Sequence, residues 1–321
     1  MKKTQIRTLA ILAAVALLLG ILLAVLRYEK KPEVLPALVE IPTEDIDQLV
    51  FTSNTSGINL QLQDGQWQVL LANSGLVLPA KEDVVNTMLR QLSQVRPQQA
   101  LKDADPNLFA ASALQATIDL ASGTGTQQIT ASQQIRIYSM NAITDQLYVQ
   151  LGDQYYLTDT SLMRIFPASP LELLAQYAIP KPENHERVTV ENSLGTVNLS
   201  CLGSETGGEE GVWFVQTADG WVEANQSEAY NFYFLTWDMH WKSTAAVITG
   251  STVLSDYGLE SPQVTYTLTY GGQTFRLSFG KNLPDNTTYV MCAGSPLIYT
   301  MDTLLVQWLA QATPAALLPS E

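Results

Sequence analysis

The chain has 321 residues, of which 46% are hydrophobic and 15% are charged, and its formal net charge at pH 7 is −14. This apolar share excludes a disordered chain, and two cysteines exclude a disulfide-rich scaffold. The negative charge argues against nucleic-acid binding, which depends on Lys and Arg side chains that neutralise phosphates.

The charge is divided unevenly along the chain. Residues 1–33 contain six basic and two acidic side chains, so the remainder carries 11 basic and 29 acidic ones. Anionic lipid headgroups repel so acidic a body, as nucleic acid does. We therefore expect the body to stand away from any membrane to which the chain is attached.

The first predicted element is a transmembrane helix over residues 8–26. This uncharged run, TLAILAAVALLLGILLAVL, spans about 28 Å at a rise of about 1.5 Å per residue. A cleaved signal peptide needs a small-residue cleavage site, and Ala24-Val25-Leu26 before Arg27 is a poor one. A lipoprotein needs a cysteine directly after the run, and the first cysteine is Cys201. These comparisons favour an uncleaved single-pass anchor.

The orientation of this anchor is set weakly by charge, because three basic residues lie on each side of the run. Long trailing domains translocate largely regardless of loop charge. We therefore expect a cell-membrane protein with residues 1–7 in the cytoplasm and an extracytoplasmic body. Residues 27–44, with prolines at 32, 36 and 42, are predicted to form a stalk.

The body is predicted to contain two copies of one unit, residues 45–178 and 187–321, joined by a linker over residues 179–186. Short features recur in the same order at an offset of about 145 residues. Gly65-Gln66-Trp67 matches Gly211-Val212-Trp213, and Ser169-Pro170 matches Thr313-Pro314. The shared order of these matches, more than any single one, indicates a duplication.

Each copy is predicted to hold strands, an amphipathic helix and a second group of strands. The helices are expected from Leu78 to about Ser93 and over residues 227–241. Tight turns such as Tyr270-Gly271-Gly272 predict antiparallel pairing. The predicted class is α+β: an N-terminal transmembrane helix followed by two tandem repeats of a mostly antiparallel β-sheet with packed helices.

Several of these elements resemble the DUF4340 domain, a family of uncharacterised bacterial membrane-anchored proteins. The resemblance covers most of the body and rests on Asp64-Gly65-Gln66-Trp67, the segment DYGLESP at 256–262, Gly271-Gly272 and Phe279-Gly280-Lys281. The first copy departs from the pattern with ASALQ at 111–115, and the second has acidic residues before its Trp turn. The resemblance implies no established activity. Because some members are encoded with ABC-transporter components, it implies an extracytoplasmic accessory role.

Motifs of catalytic and metal sites are missing from the sequence. His185 and His240 are not spaced as zinc ligands, and no nucleophile turn or phosphate-binding loop occurs. The glycine-rich segment 203–208 is interpreted as a hairpin insertion, Glu209-Glu210 as part of a solvated acidic surface, and Asp285-Asn286 as a hairpin turn. We predict a protein that is not an enzyme, with no catalytic residue, no cofactor and no metal. Cys201 and Cys292 can form a disulfide or remain free thiols.

Residues 221–241, WVEANQSEAYNFYFLTWDMHW, are the most aromatic part of the chain. One helix face would hold Tyr230, Tyr233, Phe234, Trp237 and Trp241, and it can bind a sugar or a partner, or pack into the core. The offset between the copies places the first four on the apolar stripe of the first helix, Val85, Met88, Leu89 and Leu92. We therefore assign that face to the core. Phe232 and Met239 lie off it and are predicted to form a partner surface.

These features predict a membrane-anchored, non-enzymatic binding or accessory component of an envelope complex. The expected partners are the membrane, through the N-terminal helix, and an envelope protein such as an ABC-transporter subunit. The alternative is a cell-wall glycan-binding module or weak hydrolase, for which the aromatic and acidic residues argue.

Overall fold

The computed structural model describes residues 35–319, except 73, 103, 105–108, 110–112, 124–128, 142–143, 181–186 and 203–210, together with Leu17 and Leu19. The side chains at 140–141 and 235–238 are likewise outside the description. The predicted anchor over residues 8–26 therefore falls outside the described residues, apart from those two leucines. Among the residues that are described, no helix is both long and apolar enough to cross a membrane.

Two nine-stranded antiparallel sheets dominate the body. The strands of the first sheet are β1 (Gln48–Ser53), β2 (Gly57–Gln63), β3 (Gln66–Leu71), β4 (Leu76–Pro79), β5 (Gln99–Leu101), β6 (Leu114–Ser122), β7 (Ala131–Asn141), β8 (Gln146–Leu151) and β9 (Gln154–Asp159). The strands of the second sheet are β10 (Arg187–Asn192), β11 (Gly195–Leu202), β12 (Val212–Thr217), β13 (Gly220–Glu223), β14 (Ser243–Val247), β15 (Val264–Tyr270), β16 (Gln273–Asn282), β17 (Thr287–Cys292) and β18 (Leu297–Asp302).

The two sheets have the same topology. Their strand orders are β4-β3-β2-β1-β6-β7-β8-β9-β5 and β13-β12-β11-β10-β15-β16-β17-β18-β14. Each strand of the second sheet thus stands where its counterpart stands in the first. Even the β-bulge recurs, between Ile137 and Met140 in β7 and between Phe279 and Asn282 in β16. We call the two units the first and second repeat.

The predicted α+β class is wrong, because the described part of the chain is mostly β. Its α-helices are α1 (Glu82–Gln94), α2 (Ser161–Arg164), α3 (Gln226–Asp238) and α4 (Thr303–Ala310). The sequence patterns made both helices longer than they are, and the first was extended into an edge strand. Leu78, the expected start of the first helix, lies in β4, and the second helix ends at Asp238 before β14. The strands β4, β5 and β14, of three to five residues, carry too little alternation to be recognised, and pairing with a neighbour defines them.

One 13-residue helix in each repeat, α1 or α3, packs on its sheet. Helix α1 buries Val85, Met88, Leu89 and Leu92, the stripe that its sequence predicts. Acidic residues at 82 and 83 occupy its first turn, where they complement the helix dipole. Trp67 of the first repeat and its counterpart Trp213 of the second are buried in the core, at 5% and 6% exposure.

The segment before β1 packs in the core, so residues 35–44 do not form the stalk that was predicted over residues 27–44. Residues 27–34 lie outside the described residues. Leu38, Val39 and Ile41 are buried. The Leu38 backbone N–H donates to the Val95 carbonyl at 3.3 Å, and the Gln133 side-chain amide donates to the Leu38 carbonyl at 2.8 Å. The prolines on either side indicated an extended segment, but an extended segment can lie in solvent or pack against a sheet.

The segment before β10 packs against the second sheet in a related way. The Tyr177 backbone N–H donates to the Tyr299 hydroxyl at 2.9 Å, and the Trp241 indole N–H donates to the Tyr177 carbonyl at 2.6 Å. The Trp241 ring stacks on the Tyr299 ring with centroids 4.2 Å apart. Of the predicted linker over residues 179–186, only 179 and 180 are described.

Gly258 and Gly280 lie where the turn over residues 254–259 packs against β16. A Cβ atom on Gly280 would stand 2.1 Å from the Tyr257 carbonyl oxygen. Gly258 has φ +70°, and a Cβ there would stand 2.8 Å from the Lys281 backbone nitrogen. The Lys281 ammonium also donates to the Asp256 carbonyl at 2.6 Å. The bulge in β16 is therefore the docking point of the 254–259 turn.

We expect Gly280→Ala to lower the free energy of unfolding by about 3 kcal/mol, because the new methyl group overlaps backbone that must shift. Chemical denaturation measures this value. Gly250→Ala is the matched control, since its Cβ meets nothing within 4 Å, and it should change stability by less than about 0.5 kcal/mol. Equal stabilities for the two variants would show that the turn does not pack closely on the bulge.

Candidate functional site

The structure buries both residues of the predicted partner surface. Phe232 is 2% exposed and Met239 is 3% exposed, whereas Tyr230 and Phe234, which were assigned to the core, are each 47% exposed. Tyr233 is buried at 8%, as expected for the core. The prediction of a partner surface at Phe232 and Met239 is therefore wrong. Among the described side chains of α3, the exposed aromatic ones are Tyr230 and Phe234.

A one-residue error in the alignment of the repeats explains this exchange. The Ala80 backbone N–H donates to the Trp67 carbonyl, and the Ala224 N–H donates to the Trp213 carbonyl. These equivalent bonds align Ala80 with Ala224, one residue away from the alignment that the sequence analysis used. Phe232 then corresponds to the buried Met88. Because successive residues are turned by about 100° around a helix, a shift of one residue moves each side chain to another face.

Tyr230 and Phe234 form the first candidate site, which we call the α3 patch. Their ring centroids lie 5.6 Å apart on the exposed side of the helix. The corresponding residues of α1 are Asn86 and Arg90, both exposed. The same position in the same fold is therefore aromatic in one repeat and polar in the other.

A polar groove in the first repeat is the second candidate site. It has a volume of about 590 Å³ and lies where the start of β7 extends past the β8–β9 turn, with Glu40 from the segment before β1 on its rim. Its lining includes Arg136, Asp153, Gln154 and Tyr156. We call it the β7 groove.

Hydrogen bonds between side chains fix part of the β7 groove. The Arg136 Nε–H donates to Gln134 Oε1 at 2.8 Å, and Gln134 Nε2 donates to Asp119 at 2.6 Å. The Tyr138 hydroxyl donates to Gln150 Oε1 at 2.7 Å, and Gln150 Nε2 donates to the Gly152 carbonyl. This network holds the Arg136 guanidinium against the sheet. Its Nη atoms make no hydrogen bond to another described residue, so they can meet a ligand.

Two carboxyl groups have clearly shifted pKa values, and hydrogen bonds explain both shifts. A hydrogen bond from the Ser161 side chain lowers the pKa of Asp159, and one from the Thr287 hydroxyl lowers the pKa of Asp285. A glycosidase needs a carboxyl group whose pKa is raised, so that it can donate a proton. Neither group has that property. Within the described residues, no three His, Cys, Asp or Glu side chains are placed to hold a metal ion.

The other residues weighed from the sequence do not join either site. Asp285 lies at the turn before β17, where its carboxylate accepts from the Thr287 hydroxyl at 2.7 Å. His240 is exposed after α3. His185, the glycine-rich segment 203–208 and Glu209-Glu210 lie outside the described residues. The groove was missed because its residues come from three separate parts of the chain and share no motif.

Both cysteines are free thiols in the structure. Cys292 is buried in β17, and burial raises the pKa of its thiol to about 11. Cys201 is half-buried in β11, and burial raises its pKa as well. The thiolate is the reactive form, so both thiols are poor nucleophiles near neutral pH.

We expect two thiols per chain to react with Ellman's reagent after unfolding in guanidinium chloride without reductant. In the folded chain at mildly alkaline pH, Cys292 should not react measurably, because burial blocks access and keeps its thiol protonated. Absorbance of the released chromophore measures the count. A chain that shows no thiols after unfolding without reductant would instead contain the disulfide.

We expect Phe232→Ala to lower the free energy of unfolding by about 3–5 kcal/mol, as the loss of a buried aromatic side chain does. Phe234→Ala, two residues along the same helix, should cost no more than about 0.5 kcal/mol. Urea denaturation of the two variants measures the difference. A larger loss of stability for Phe234→Ala than for Phe232→Ala would show that Phe234 faces the core, as the sequence alignment predicted.

The comparisons with known proteins leave the family open. The chain matches no protein-family model and no curated protein. The resemblance to the DUF4340 domain is therefore neither supported nor refuted, and it stays a prediction.

Proposed function

We propose that the chain is a membrane-anchored, non-enzymatic binding protein whose second repeat contacts another envelope protein through the α3 patch. The anchor is the uncharged run over residues 8–26, with the body outside the cytoplasm. The partner class is a subunit of a membrane complex such as an ABC transporter, which is the role that the resemblance implies.

The observation that carries this proposal is the difference between equivalent helix positions. Tyr230 and Phe234 are large, exposed and adjacent, whereas Asn86 and Arg90 occupy the same places in the first repeat. The fold does not require aromatic residues there, since the first repeat forms without them. Aromatic side chains dominate the energetics of protein interfaces, because each removes a large rigid surface from water at low entropic cost.

The charge of the chain indicates the electrostatics of such a partner. Residues 34–321 carry 29 acidic and 11 basic side chains, and Glu228 lies in the first turn of α3, near Tyr230. Complementary charge speeds association and excludes wrong partners. We therefore expect the partner surface to be basic around an apolar centre.

The test replaces the two aromatic residues of α3 with the residues found at the same positions of α1. The double variant Tyr230→Asn with Phe234→Arg places the first repeat's residues on α3, and it should fold as stably as the native chain because both side chains are exposed. Tagged full-length protein is purified from gently solubilised native membranes after cross-linking, and co-purifying proteins are quantified. We expect the variant to lose at least about 90% of one membrane-complex partner, as an interface hot spot would.

Asn86→Ala with Arg90→Ala in the first repeat is the control, and it should retain that partner. Two results would refute the proposal. One is recovery of the native chain alone under these conditions, and the other is an equal yield of partner with the native chain and the exchanged variant.

A further inference from the structure

We propose that the β7 groove of the first repeat is a saccharide-binding site. It lies in the other repeat from the α3 patch, so it does not rest on the proposed protein contact. The inference depends on three features of the groove: its open volume, its fixed frame and its unused hydrogen-bonding groups.

The groove lies at a position where the two repeats differ. Gln133 pairs with Leu120 in β6, and Phe275 pairs with the equivalent Leu268 in β15. The Phe275 ring stacks with Tyr177 at 6.4 Å, in the cluster that also holds Trp241 and Tyr299. The first repeat has the polar Gln133 at that place, in the lining of the groove, whose volume is about 590 Å³. This volume is within the range of roughly 300–1,000 Å³ that is typical of small-ligand sites.

The frame of the groove is held by bonds within the protein. Both ends of the Gln133 side chain are engaged, since Nε2 donates to the Leu38 carbonyl at 2.8 Å and Oε1 accepts from the Glu40 N–H at 2.9 Å. These bonds place Glu40 at the rim. The bonds of Gln134 and Gln150 hold the opposite wall and the β8–β9 turn. A site with fixed walls loses less entropy when a ligand binds.

The remaining polar groups face the groove without a protein partner. The carboxylates of Glu40 and Asp153, the Nη atoms of Arg136 and the amide of Gln154 make no hydrogen bond or ion pair with another described residue. They supply both acceptors and donors. A sugar presents adjacent hydroxyls that donate to carboxylates and accept from guanidinium or amide groups. Two carboxylates against one guanidinium disfavour an anion, so the expected ligand is a neutral saccharide.

The test uses the full-length chain in a polyoxyethylene detergent, because maltoside detergents carry a sugar headgroup that would compete. Cellobiose, maltose and N,N′-diacetylchitobiose are titrated separately by isothermal calorimetry. We expect saturable binding of at least one of them, with a Kd on the order of 1 mM. Glucose and cellotetraose are further arms: equal affinity for glucose indicates a free sugar as the ligand, and tighter binding of cellotetraose indicates a glycan chain.

Arg136→Gln and Asp153→Asn should each weaken binding about tenfold, because each removes a charged hydrogen-bonding partner. Both side chains are exposed, so thermal melts should show native folding. The matched controls are Arg276→Gln and Asp219→Asn in the second repeat, which should bind as the native chain does. The inference is overturned if none of the sugars binds saturably, or if the groove variants bind as well as the controls.

The outcomes for the two sites are separable. We expect the groove variants, which lose sugar binding, to cross-link to the partner of the α3 patch as the native chain does. We expect the double variant Tyr230→Asn with Phe234→Arg to bind sugar as the native chain does. Each proposal can therefore fail without the other.

Discussion

A backbone hydrogen bond joins a residue just before each long helix to a strand of the sheet on which the helix packs: β3 for α1 and β12 for α3. The Ala80 N–H meets the Trp67 carbonyl at 2.8 Å, and the Ala224 N–H meets the Trp213 carbonyl at 2.9 Å. The next residue in each repeat bonds to the carbonyl of Leu173 or Leu317, at the end of a short 3-10 helix. Because the helix begins immediately after these bonds, they determine which of its faces meets the sheet. The burial of Phe232 and the exposure of Phe234 both follow from them.

The duplicated frame lets the two repeats differ where packing does not restrict them. The two repeats share strand order, bulge position and helix start. All three are set by hydrogen bonds between backbone groups, which form with almost any side chain at those positions. Side chains that point away from the core vary freely. The α3 patch is aromatic where α1 is polar. One position of the sheet differs as well, since Gln133 lines the β7 groove where the second repeat has the buried Phe275. Two candidate sites of different chemistry thus stand on two copies of one scaffold.

Several parts of the fold were predictable because their signals are local. The apolar stripe of α1 has helical spacing, and the strands around Trp67 and Trp213 alternate. The short edge strands were missed, since Gln99–Leu101 and Ser243–Val247 have no pattern of their own and pair with β9 and β18. The core role of Leu38 was missed for a similar reason. Nothing in the three prolines around it indicates the sheet on which it packs.

The sequence by itself determined that the body is acidic, that an uncharged run lies near the start of the chain, that features recur in the same order, and which face of the first helix is apolar. These are properties of composition and of spacing along the chain, which need no knowledge of distant contacts. Only the tertiary structure decided the phase of α3, the packing of the segment before β1 and the meeting of Glu40, Arg136 and Asp153 at one groove. Each of these depends on contacts between residues far apart in the chain, and a shift of one residue in such contacts turns an interior side chain outward.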